Sequence, residues 1–118
     1  MNNENPYDLN YLSDLAAGDE TFKMDMIRYF FDHARPVLDQ MDTLLEGEEW
    51  PALREVVHKF GSNLTLIGIH GAIGDSTRLE LLVEKHQQIS EISGLVKRIR
   101  SSVELALDKL AEDFQLEN

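Results

Sequence analysis

The last third of the chain places an apolar residue at every third or fourth position: Ile89, Ile92, Val96, Ile99, Val103, Ala106, Leu110 and Phe114. An α-helix puts such a series on one face, whereas the two-residue period of a strand would scatter it over both sides. The same spacing recurs upstream. Leu9, Leu12 and Leu15 mark a short helix over about 8–17, closed by Gly18 and followed by Asp19 as the next N-cap. Phe22, Met26, Phe30, Ala34, Val37, Met41 and Leu44 mark a long helix over 19–46, in which Pro36 predicts a kink or local break near Arg35. Leu53, Val56, Val57, Phe60, Leu64 and Ile67 mark a helix over 50–67 that opens at Pro51, and Leu79, Leu82 and Val83 one over 72–86. The last run predicts a helix over 89–116. "GIHGAIG" (68–74) reads as a turn or frayed helix end between two of them. No segment alternates apolar and polar residues as a strand does.

Helices with one apolar and one charged face, joined by short connections, pack antiparallel around a shared core. The expected fold is therefore all-α: an up-and-down antiparallel four-helix bundle carrying a short extra N-terminal helix, with 1–118 forming one domain. At 118 residues the chain suits a single core. It has no cysteine, which excludes disulfides, thiolate metal sites and a cysteine nucleophile. With 22 acidic against 11 basic side chains and a net charge of −11, it would be repelled by phosphate backbones, so nucleic-acid binding is not expected. Neither a secretion signal in "MNNENPYDLN" nor a membrane span is visible, and a cytoplasmic protein is expected. Nothing calls for a dimer, so the expectation is a monomer.

In this acidic chain no Asp or Glu falls between Val56 and Gly74, and the window contains "VVHKFGSNLTLIG". On a wheel of ~100° per residue, His58 points nearly opposite the apolar face, beside Arg54, Gly61, Ser62 and Thr65. One turn later stand Gly61 and Ser62, although a mid-helix glycine costs about 1 kcal/mol, so the imidazole is left accessible to something large. Arg54 and Lys59 flank it, and the nearest acid in sequence, Glu55, lies about 60° around the wheel. The local charge therefore reads as positive and suited to a dianionic group. Imidazole, with an ordinary pKa of ~6.5, is a good nucleophile at cellular pH and one of the few side chains able to carry a phosphoryl group.

"VVHKFGSNLTLIGI" resembles the signature of the histidine-containing phosphotransfer (HPt) domain. "YDLNYLSDLAAGDETFKMDMIRYFFDHARPVLDQM" and "STRLELL" extend the likeness over nearly the whole chain. The resemblance implies a four-helix bundle that accepts phosphate from the aspartate of a response-regulator receiver domain, or of a hybrid histidine kinase, and passes it to another receiver. It implies His58 as phosphoacceptor, Lys59 as the lysine often found next to it and Gly68 as the glycine that ends or bends this helix. Such a protein is a phosphocarrier without kinase activity. It needs no cofactor of its own, the Mg2+ residing in the partner receiver domain. The chain departs from the family where many members carry lysine three positions and glycine four positions after the histidine, because Gly61 and Ser62 stand there. Arg54 or Lys59 is expected to supply the missing charge.

Other residues point to blander roles. His33, His70 and His86 share no i, i+4 spacing with His58 or one another, so no metal site is expected. Glu48 with Glu49, and Glu112 with Asp113, read as solvated helix ends. "GIHGAIG" lacks the preceding strand and Lys-Ser/Thr ending of a nucleotide loop. Trp50, Phe30 and Phe31 read as core or junction aromatics. The alternative function is a helical adaptor that docks a receiver or other signalling partner without carrying phosphate.

Overall fold

The computed structural model describes residues 5–85 and 88–117, and among them every regular element is a helix. These are α1 (Asn10–Ala16), α2 (Glu20–Glu46), α3 (Trp50–Ile67), α4 (His70–Lys85) and α5 (Ile89–Phe114). α2 packs on α3, α3 on α4, α4 on α5 and α5 back on α2, which closes a four-helix ring, while α1 lies across α2 and α3. Leu53, Leu64, Ile67, Leu79, Ile92, Ile99 and Leu107 are among the side chains that fill its interior. None of the described helices is long and apolar enough to cross a membrane.

The helix ends follow the residues expected to make them. Gly18 adopts a φ of +91°, and the Asp19 carboxylate accepts the Phe22 N–H at 3.0 Å, capping α2. Gly68 ends α3 with a φ of +72°. There glycine is required for a second reason: a Cβ would lie 2.7 Å from the carbonyl carbon of Asp8 and overlap its oxygen. Residues 7–9 are not helical, and Asp8 donates its N–H to the Ile67 carbonyl at 3.0 Å. This N-terminal strap is fixed on both sides. The Tyr7 hydroxyl donates to Asp113 on α5, and the Asp8 carboxylate meets His70 Nε2 at 3.2 Å. Burial, and then the neighbouring carboxylate, pushes the Tyr7 hydroxyl pKa well above the usual phenol value.

Four details differ from the sequence pattern. α2 is continuous through Pro36, with no break near Arg35: Pro36 lies on the exposed side, where water can satisfy the carbonyl that its missing N–H leaves free. The buried stripe of α2 runs through Ile27, Phe30, Phe31, Ala34, Leu38 and Met41, leaving Phe22 exposed, because α5 as well as α3 covers this helix. α1 buries Leu12 and Ala16 while Leu15 is exposed, since so short a helix touches the bundle along one narrow line. Finally, α4 starts at His70 and carries Gly71 and Gly74 within its first turns, so "GIHGAIG" is one tight junction at Gly68 followed directly by helix. The predicted end of that helix, His86, lies outside the described residues.

α2 and α5 are joined on the outside by Arg100, whose guanidinium reaches Asp39 at 2.7 Å, Asp42 at 2.8 Å and Glu104 at 3.0 Å. This network sits across the bundle from the α3/α4 groove, where the histidine lies.

Candidate functional site

α3 faces the core with Leu53, Val57, Phe60, Leu64 and Ile67, and this orientation fixes where the rest of the helix points. His58 falls on the flank that adjoins α4. Its side chain is 70% exposed, and Nδ1 lies 2.9 Å from Oε1 of Glu80, an acid on α4 that is only 24% exposed. An ionised carboxylate can only accept a hydrogen bond, so the contact selects the tautomer with the proton on Nδ1. Nε2 then carries the lone pair, and among the described residues it has no hydrogen-bond partner. A half-covered acid thus aims a nucleophilic nitrogen at solvent.

One turn earlier, Arg54 stands against Glu84 on the same pair of helices, with Nε 3.8 Å from the carboxylate. Lys59 pairs within its own helix, its Nζ 3.4 Å from Glu55. The positive surroundings read from the acid-free window are therefore corrected: Glu80 and Glu84 bring two negative charges to the histidine's side. Sequence distance hid them, since Glu80 is 22 residues from His58. A signal was nevertheless present. α3 and α4 meet at Gly68 and Ile69, and folding the chain back about residue 69 sets 58 against 80 and 54 against 84.

The clearing beside the ring has two walls. A Cβ on Gly61 would meet nothing within 4 Å, and the same holds for Gly74 on α4. Ser62 and Thr65 are exposed next to Gly61, and the Thr65 hydroxyl donates to the Gly61 carbonyl at 3.0 Å. On α4 the Thr77 hydroxyl is similarly turned back, to the Ile73 carbonyl at 3.1 Å. With their protons engaged in the helix, these hydroxyls keep the floor low. A shallow groove continues past Gly74, Thr77 and Leu81 to Arg54 and Glu84.

The remaining candidates are elsewhere. His33 stacks on Tyr29 with ring centres 4.0 Å apart and gives Nδ1–H to the Tyr29 carbonyl at 2.8 Å. His70 is tied to Asp8 and borders a cleft of about 890 Å³ at the end of the bundle where the strap crosses. His86 lies outside the described residues. Among the described residues no group of three or more His, Asp or Glu side chains is placed to hold a metal ion. Gly68 terminates α3 and touches the strap rather than the histidine.

The sequence model of the Hpt domain matches residues 25–113, which include α3 and α4, most of α2 and all of α5 but its last residue. The chain belongs to the Hpt domain family. Hpt domains are helical bundles that carry phosphoryl groups in two-component signalling, working with receiver domains or kinases. The match in this Hpt domain spans His58, Glu80, Arg54 and Glu84, and begins after α1 and the strap. No curated protein and no solved structure matches the chain.

Proposed function

We propose that this Hpt domain is a phosphorelay intermediate in which His58 accepts a phosphoryl group from the aspartate of a receiver domain and passes it to another response regulator. The observation that carries this reading is the Glu80-held imidazole in an open clearing. The Nε2 lone pair attacks phosphorus, the N–P bond forms, and the acyl-phosphate O–P bond breaks with its electron pair leaving on the partner's aspartate. The proton on Nδ1 stays between the ring and Glu80, whose negative charge offsets the positive charge that develops on the imidazole. Return transfer runs the same steps backward. The Mg2+ that neutralises the moving charge belongs to the partner receiver domain, so the chain acts as a carrier without kinase activity and without a cofactor of its own. A cytoplasmic monomer suits this role.

The test is incubation with a phosphorylated receiver domain, read by intact mass and acid lability. The wild type should gain one acid-labile phosphoryl group, and His58→Gln should gain none while still binding the receiver. Label on His58→Gln would refute the assignment. A wild type that binds the receiver but takes no label would favour the adaptor reading, for which the absence of a lysine at position 61 is the supporting observation.

A further inference from the structure

A phosphoryl group on His58 would bring nearly two negative charges to a flank that already holds Glu80 and Glu84. Something in the chain must offset that charge, and three cations stand near enough to consider. Arg78, on α4, lines the same groove but is gripped by Glu91 of α5 through two hydrogen bonds, at 2.9 and 3.2 Å. Lys59 follows His58 directly, so its side chain leaves the helix about 100° away, and it is engaged with Glu55. Arg54 differs from both. It precedes His58 by one turn on the same flank, where i, i+4 side chains are neighbours. Its Nε is 3.8 Å from Glu84, at the outer limit of an ion pair and beyond a hydrogen bond, and the two side chains are 45% and 62% exposed.

We propose that Arg54 and Glu84 form an exchange pair: Arg54 rests on Glu84 while His58 is unloaded, and turns to the phosphoryl oxygens when His58 is loaded. The proposal rests on the phosphoacceptor reading of His58 and deepens it. The geometry favours the exchange, because an exposed pair at this distance is weak, whereas guanidinium matches phosphate oxygens with two parallel donors. Glu84 thereby competes for the charge that stabilises the phosphohistidine. A site with Arg54 alone would hold the group more tightly; the opposing acid keeps it transferable.

The test uses the full chain as wild type, Arg54→Gln, Glu84→Gln and the double variant, each equilibrated with one phosphorylated receiver domain. The readouts are the equilibrium ratio of phosphohistidine to phosphoaspartate and the 15N–1H resonance of Arg54 Nε. Glu84→Gln should raise the ratio, and Arg54→Gln lower it, each by about two- to fivefold. In the Arg54→Gln background the Glu84→Gln effect should shrink to the direct repulsion between Glu84 and the phosphoryl group, and in the wild type the Arg54 Nε resonance should move on phosphorylation. An equal Glu84→Gln effect in both backgrounds would overturn the exchange, as would an unmoved Arg54 resonance. A wild type that forms no phosphohistidine at all would overturn the phosphoacceptor reading and the exchange with it.

Discussion

Gly61 stands inside α3, where glycine is the least favourable residue after proline. Its replacement by alanine isolates what the clearing costs. A Cβ there meets no atom within 4 Å, so no clash offsets the gain in helix propensity. The Thr65 hydroxyl bonds to the backbone carbonyl of residue 61, which the substitution leaves in place. Gly61→Ala should therefore stabilise the fold by nearly the whole propensity difference, about 1 kcal/mol, which for a chain of this size raises Tm by about 3–6 °C. Thermal unfolding followed by circular dichroism, with urea titration to check that the m-value is unchanged, measures this directly. The functional arm uses Gly61→Leu, which puts a good helix former at this position but raises the floor beside His58. Transfer from a phosphorylated receiver should slow by at least about tenfold, because an in-line approach tolerates little displacement. An unchanged or lower Tm for Gly61→Ala would refute the open-helix reasoning. A Gly61→Leu variant that transfers as fast as wild type would refute the clearing as the reason for the glycine.

Gly68→Ala should act in the opposite direction: the left-handed conformation and the collision with Asp8 together cost about 2–4 kcal/mol, visible as a lower urea midpoint. Arg100→Met removes the guanidinium that joins Asp39, Asp42 and Glu104, leaving three acids clustered. A loss of about 2–3 kcal/mol is expected, shrinking as salt is added. The strap should loosen in acid. Asp8 is held below its usual pKa by the Asn10 N–H and then by His70, and Asp113 by the Tyr7 hydroxyl and then by Lys109. Both contributions are complete above the unfolded carboxylate value of ~3.9 and are lost as pH falls through the lower folded values. Hydrogen exchange at the Asp8 N–H should therefore accelerate there, relative to the core of α3, and loosening on the alkaline side of neutrality instead would contradict the sign.

The apolar spacing of the chain was enough to specify five helices and their order, because burying a one-sided helix face is the dominant demand on such a sequence. Local chemistry was legible too: Asp19 capping α2, Gly68 ending α3, and His58 turned away from the core all follow from residues within a few turns of one another. Tertiary packing decided what those local features face. α2 runs unbroken past Pro36 because that residue ended on the wet side of the bundle, and Gly68 is indispensable because a strap sixty residues away crosses it. Above all, a window free of acids in sequence is not free of them in space. Antiparallel packing about Ile69 brings Glu80 to His58 and Glu84 to Arg54. Side-chain electrostatics act over a few ångströms through space, and the chain sets those distances only once two helices lie side by side.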